Sequence, residues 1–174
     1  RTFSFFCRKA NLLLLKKKYY DSSITKLGRG LVFHIAPSNV PVNFAFSLMI
    51  SLLSGNSNIV RVPSKKFDQT KIILKAINKL SKVFKYSHIS NRIILVSYDR
   101  NSDATKEFSR DCDVRIIWGG DETISKIREN SLQPRAFDIT FADRYSLCVI
   151  NGDEFVNEPK PEKVVDGFFN DTFL

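Results

Sequence analysis

The sequence predicts an α/β fold built on a doubly wound, mostly parallel sheet. Three observations carry that prediction. Short apolar runs alternate with helical patterns along most of the 174 residues, the signature of βαβ units. One such unit is continuous from Leu31 to Lys65, where LVFHIAPSNVPVNFAFSLMISLLSGNSNIVRVPSK reads as strand, rigid turn, apolar helix, Gly-Asn turn and second strand. Its first strand, Leu31 to Ala36, is apolar throughout, as expected where both faces of a sheet are covered.

The elements follow in order. Residues 3–20 turn from apolar to basic, ending in Lys16-Lys17-Lys18, and read as a helix that docks through Phe6, Leu13 and Leu14. Gly28-Arg29-Gly30 precedes a strand instead of following one and lacks a third glycine, so it is no dinucleotide fingerprint. After the first strand, Pro37-Ser38-Asn39-Val40-Pro41 is a stiff turn, because each proline fixes its own φ and restricts the residue before it. Pro41 suits the first helical turn. The helix that runs through Leu53 is apolar on nearly every face and is expected to be buried between layers. Gly55 ends it as a left-handed cap.

Asn58 to Val62 is the second strand. Residues 68–85 show the clearest amphipathic periodicity, with Ile72, Ile73, Ala76, Ile77, Leu80, Val83 and Phe84 on one side and Lys71, Lys75, Lys79, Lys82 and Lys85 on the other. The lysine row reads either as a solvated face or as a polyanion contact. Arg92 to Ser97 is a third strand, followed by a short helix from Ser102 to Arg110, capped by Ser102 or Asp103. Val114 to Trp118 is a fourth strand, running into Gly119-Gly120-Asp121-Glu122 and a helix of about two turns. Phe137 to Ala142 and Tyr145 to Asn151 read as two further strands joined by an Asp143-Arg144 turn, and a last helix starts near Glu162. These elements give an approach segment at 1–30, an α/β nucleotide-binding domain at 31–137 and the start of a second domain at 138–174.

Composition narrows the function. A formal net charge of +9 suits an anionic partner such as a phosphate-bearing ligand, a polyanion or an anionic surface, or simply a solvated lysine face. Cys7, Cys112 and Cys148 are too few and too scattered for a disulfide framework or a zinc site and fit a reducing, cytoplasmic setting. No metal site is expected. No run approaches the ~18 apolar residues of a membrane span, and no signal peptide is evident. The chain starts at Arg1 and runs out through Phe168, Phe169 and Phe173, which suggests a piece of a longer protein.

Ligands of such sheets sit outside the carboxyl ends of the strands, where Pro37 to Pro41, Arg61 to Lys65 and Gly119 to Glu122 fall. Asn39, held between two prolines, is either a hydrogen-bond donor to a developing oxyanion or a support for the turn and following helix. Arg61 and Lys65, with the Ser64 hydroxyl between, suit a phosphate or ribose, or else a surface salt bridge. Gly119 and Gly120 permit close approach of a cofactor, although Asp121 and Glu122 already satisfy the helix dipole and repel pyrophosphate. No nucleophile stands out, and His34 in a core strand and His88 in a loop form no catalytic pair.

These residues also resemble a known family. Phe33-His34-Ile35-Ala36-Pro37-Ser38-Asn39-Val40-Pro41, followed by Leu53-Ser54-Gly55-Asn56-Ser57-Asn58-Ile59-Val60-Arg61-Val62-Pro63-Ser64-Lys65, is similar to the fatty acyl-CoA reductase family. That family includes the reductase subunit of the bacterial luminescence complex and belongs to the aldehyde dehydrogenase superfamily. Cys7-Arg8-Lys9-Ala10-Asn11, Trp118-Gly119-Gly120-Asp121-Glu122 and Asp143-Arg144-Tyr145-Ser146 extend the resemblance over nearly the whole chain.

The resemblance implies an aldehyde dehydrogenase-like cofactor-binding domain and a reaction. A cysteine takes an acyl group from long-chain acyl-CoA or an acylated partner protein, and NADPH reduces the thioester to a fatty aldehyde. It implies that Asn39 stabilises the oxyanion and that Arg61 stands where the superfamily carries a ribose-binding lysine. Lys65 replaces a common acidic residue, which favours NADP. Together with the strand-end positions, this makes Pro37, Ser38, Arg61, Ser64, Lys65, Gly119 and Gly120 the candidate cofactor-binding set. In the family the nucleophilic cysteine follows a segment like Phe169-Asn170-Asp171-Thr172-Phe173, so the nucleophile is expected beyond this chain, with 138–174 only the start of the catalytic domain. Acyl-protein synthetase and acyltransferase subunits are implied partners, and the full-length protein is expected to be an oligomer. The competing readings are a basic, non-catalytic module that binds a polyanion, and a remnant that binds only the cofactor.

Overall fold

The computed structural model describes residues 2–21, 23–99, 102–143 and 147–173. It divides into two compact units, Arg1–Asp143 and Arg144–Leu174. In the first, α1 (Thr2–Phe6) and α2 (Lys9–Tyr19) lead to β1 (Leu31–Ile35), α3 (Asn43–Leu53), β2 (Ser57–Arg61) and α4 (Asp68–Ser81). A 3-10 turn at Phe84–Tyr86, α5 (Ser87–Ser90), β3 (Ile93–Val96), α6 (Ala104–Asp111), β4 (Val114–Trp118), α7 (Asp121–Arg128) and β5 (Phe137–Phe141) complete it. The second unit holds α8 (Gly152–Val156) and α9 (Pro161–Phe173).

The sheet order is β3-β2-β1-β4-β5, and every neighbouring pair is parallel. Helices lie on both faces, so the sheet is doubly wound, as expected. Register sorts the core into two layers, since side chains alternate between faces along each strand. Phe33, Ile35, Ile59 and Ile117 share one face with Ile124 of α7, and Phe108 of α6 packs against them. Val60 shares the other with Phe44, Ala45 and Leu48 of α3, joined by Ile73, Leu74 and Ile77 of α4.

The α3-to-β2 turn shows how local sequence sets this geometry. Gly55 has φ +86°, a conformation that costs other residues a Cβ clash. Its N–H donates to the Leu52 carbonyl at 2.9 Å and the Asn56 N–H to the Ser51 carbonyl at 3.2 Å. This pair of bonds is a Schellman cap. It releases the chain into β2, as the position of Gly55 predicts.

Several expectations are corrected. The N-terminal stretch is two helices parted at Cys7 and Arg8, docked through the rings of Phe3 and Phe6 on Phe46 at 4.9 and 5.2 Å. Leu13 and Leu14 are exposed, because consecutive leucines point about 100° apart and cannot all face one surface. Helix α3 is buried on one side only, with Ile50 and Leu53 in solvent. Helix α4 stops at Ser81, and its packing face is Thr70, Ile73, Leu74 and Ile77. Ile72, Leu80, Val83 and Phe84 are exposed, Phe84 at 92%. Asp103 takes the cap position of α6 without a side-chain capping bond. Residues 147–150 form no strand, and the Arg144-Tyr145-Ser146 part of the proposed turn and strand lies outside the described residues. Helix α8 is not among the elements that the sequence predicts; Asn151 Oδ1 caps it by accepting from Asp153 and Glu154 N–H.

Candidate functional site

The sheet order places a topological switch between β1 and β4, whose following helices lie on opposite faces. A crevice opens there at the strands' carboxyl ends. A cleft of about 530 Å³ occupies this position, and Pro37, Ser38, Asn39, Arg61, Ser64, Gly119 and Gly120 all line it. Segments far apart in the chain thus converge on one concave surface of the size that holds a small ligand. Lys65 does not line it; its Nζ lies 5.4 Å from the Phe67 ring centroid.

Each edge of the cleft has its own chemistry. Between β1 and α3, the turn with Asn39 is tied down at its far end, where the Thr70 hydroxyl donates to the Pro41 carbonyl at 2.8 Å. Val42, not Asn39, caps α3, without a side-chain bond. The Asn39 side chain is exposed, and among the described residues it has no hydrogen-bond partner. Its amide is thus unspent.

On the β2 side, Arg61 leaves the strand end with its guanidinium carbon 4.6 Å from the Tyr98 ring centroid. One Nη2–H donates to the Tyr98 carbonyl at 3.3 Å. Among the described residues no carboxylate pairs with Arg61. Hydroxyls of Ser64, Ser102 and Thr105 line the cleft on this side. A guanidinium with spare donors among hydroxyls suits a phosphate or ribose.

On the β4 side, Thr123 and Asp143 pack closely on the backbone of Gly119 and Gly120. A Cβ on Gly119 would meet Thr123 Cγ2 at 3.1 Å, and one on Gly120 would run into the Asp143 carboxylate. Asp121 and Glu122 fill the first turn of α7 and offset its positive end, while Lys126 of the same helix lines the cleft. Trp118 stacks on Phe141 with centroids 3.8 Å apart, and its indole N–H is buried with no acceptor among the described residues.

His34, Cys7 and Cys112 serve structure, and Cys148 is exposed. His34 is 0% exposed. Asn58 Nδ2 donates to the Asn56 carbonyl, so Asn58 Oδ1 faces His34 Nε2 at 2.9 Å as an acceptor. That fixes the Nε2–H tautomer and leaves Nδ1 to accept from the Ser47 hydroxyl at 2.8 Å. Burial lowers the His34 pKa to about 4, against the opposing Asn58 hydrogen bond. Burial also pushes Cys112 up to about 11 and raises Cys7, so neither is a ready thiolate. None of Cys7, Cys112 and Cys148 lines the cleft. Among the described residues no group of three or more His, Cys, Asp or Glu is placed to hold a metal, and no helix is long and apolar enough to cross a membrane.

Sequence reasoning passed over Tyr98, Thr105 and Trp118 as site residues. An aromatic at or just past a strand's carboxyl end is the available signal for Trp118 and Tyr98. Nothing local marks Thr105, which reaches the cleft through the placement of α6.

The family model for acyl-CoA reductase (LuxC) matches residues 11–171. A curated relative, the long-chain acyl-protein thioester reductase of Photorhabdus laumondii subsp. laumondii, is 26% identical over 134 residues, covering 75% of this chain. The chain spans only 27% of that relative's length. Among solved structures, glyceraldehyde-3-phosphate dehydrogenase GapN from Methanocaldococcus jannaschii, complexed with NADP, matches with a TM-score of 0.58 at 18% identity over 76% of this chain and 31% of its own. A NAD-dependent benzaldehyde dehydrogenase from Corynebacterium glutamicum matches with a TM-score of 0.50 at 16% identity over 67% of this chain and 25% of its own. At such identities the likeness speaks for the fold alone: an α/β domain of the aldehyde dehydrogenase kind.

Proposed function

The chain belongs to the acyl-CoA reductase (LuxC) family, and from that premise we propose that it is the cofactor-binding part of an NADPH-dependent reductase that turns a long-chain acyl thioester into a fatty aldehyde. The acyl donor in this reading is acyl-CoA or an acylated partner protein, the latter in keeping with the acyl-protein thioester reductase relative.

The observation that carries the reading is the convergence of Asn39, Arg61 and the Gly119-Gly120 shelf on one cleft at the switch point. The cleft fits a dinucleotide in two respects. Arg61 keeps spare N–H donors, and among the described residues the Trp118 N–H lacks an acceptor. Bound NADPH supplies the hydride. Arg61 and Ser64 hold ribose or phosphate oxygens, with Pro37 and Ser38 forming the wall beside them. The preference for NADP in this reading rests on Arg61, since Lys65 lies outside the cleft. Asn39 would donate its amide N–H to the thioester's former carbonyl oxygen, where negative charge develops once its carbon has accepted hydride. The thiol that carries the acyl group lies, in this reading, outside the present chain.

Trp118 makes the test direct, because it is the single tryptophan of the sequence and lines the cleft. Titration with NADPH is expected to quench its fluorescence saturably, with weaker binding of NADH. A linear, unsaturable response to both would sink the cofactor reading.

A further inference from the structure

Arg61 lacks what normally holds an arginine still. Among the described residues no carboxylate grips it, and its side chain has several rotatable bonds to freeze before it can recognise anything. Tyr98, just past β3, supplies two restraints instead. Its ring lies under the guanidinium, and its carbonyl takes one Nη2–H at 3.3 Å. Contact with the ring limits tilt, and the carbonyl bond limits rotation.

Tyr98 is itself pinned. Its hydroxyl bonds Thr105 Oγ1 at 3.0 Å, and its ring meets Phe108 at 5.9 Å. Phe108 in turn packs on Phe33 at 5.4 Å, and Phe33 is fully buried on β1. A continuous line of contacts therefore runs from the sheet core to the guanidinium. Burial raises the Tyr98 pKa, which keeps the ring neutral while it lies beneath a cation.

We infer that Tyr98 is a positioning residue, holding Arg61 as a preset fork for the phosphate-bearing end of the cofactor. The inference rests on the cofactor reading above and adds that affinity depends on an aromatic face at position 98. The carbonyl contact survives any substitution there, so side-chain variants isolate the ring.

Two readouts on the 174-residue chain test it. In the ligand-free protein, NMR of the Arg61 side-chain protons is expected to show an upfield ring-current shift that persists in Tyr98→Phe and vanishes in Tyr98→Leu. In NADPH titrations followed through Trp118, Tyr98→Leu is expected to weaken binding about fivefold, the scale of a partly desolvated cation–π contact, and Tyr98→Phe less than about twofold. The decisive comparison is a double-mutant cycle: once Arg61→Ala is present, adding Tyr98→Leu should cost nothing further. A Leu penalty that persists undiminished in the Arg61→Ala background, or absence of the ring-current shift, overturns the inference. If Tyr98→Leu does not fold, Tyr98→Met goes through the same cycle. If wild-type protein binds no NADPH, the cofactor reading fails. The fork is then judged by the shift and by the same cycle with inorganic pyrophosphate, where absence of binding counts against it.

Discussion

Arg61 and Arg115 project from the same face of one sheet, yet they have opposite fates. Register pairs Arg61 with Ile35 and Arg115 with Phe33, so both point toward the α6/α7 layer. Arg115 is 1% exposed. Its Nε and Nη2 grip the two oxygens of Asp138 at 2.7 and 3.1 Å, and Nη1 donates to Ser109 Oγ and the carbonyls of Ile127 and Asn130. Arg61, at the carboxyl end of its strand, has one carbonyl, one ring and a cleft. A buried charge must be nearly saturated to be tolerated. The arginine left unsaturated is the one with donors to offer a ligand. Polar groups inside the sheet therefore hold structure, while those at its carboxyl rim remain available.

The strongest way to break this contrast is Asp138→Ala, which strands the Arg115 charge. A loss of about 3–5 kcal/mol is expected in urea unfolding, whereas Arg61→Ala should stay within about 0.5 kcal/mol. Equal effects would erase the distinction.

His34 offers a pH test of the saturated interior. Its pKa is about 4 in the folded chain, against an ordinary value of 6.5. Between those values the unfolded chain binds a proton that the folded chain refuses, so stability rises with pH across this window. The stability is complete above pH 6.5 and is lost as the pH falls toward 4. The two pKa values imply a loss on the order of 3 kcal/mol. Urea midpoints of wild type and His34→Gln from pH 4 to 7 check this; the same slope in both would show that His34 is not the source.

At the rim, Arg61→Ala should weaken NADPH binding roughly 10- to 100-fold, the range for losing a charge-assisted hydrogen bond, with the protein's melting curve nearly unchanged. The smallest expected effect sharpens the point. Lys65 is also a cation near β2 but lies outside the cleft, so Lys65→Ala should change NADPH affinity less than about twofold. A large Lys65 effect would mean that the cofactor follows a different path.

How far sequence alone reached depended on whether the cause was local. Short runs rich in apolar and β-branched residues mark β1, β2 and β4 to within a residue or so, and Gly55 marks its cap, because propensity and turn chemistry act over a few neighbours. The strand-end rule gathers Pro37, Asn39, Arg61 and Gly119 from the sequence alone. The buried face of α4 was not legible. Ile72 and Leu80 fit the helical period as well as Ile73 and Ile77, and only the position of the sheet chooses between them. The saturation of Arg115 was hidden for a similar reason, since Asp138 is 23 residues away in sequence. An arginine inside the run Val114-Arg115-Ile116-Ile117 was nonetheless a signal that a buried carboxylate had to exist.

The order of strands also has a consequence for how the chain is made. β1 is the central strand, and one of its edges is covered by β2 soon after synthesis. Its other edge waits for β4, and Asp113, which receives the Leu31 N–H at 2.7 Å, lies 82 residues downstream. At ribosomal rates of about 5–20 residues per second, that edge stays open for roughly 4–16 s. During that interval the nascent chain presents an unpaired, apolar strand edge to any other strand nearby. Synonymous codon changes that slow translation between residues 62 and 113 should therefore lower soluble yield without altering the finished protein.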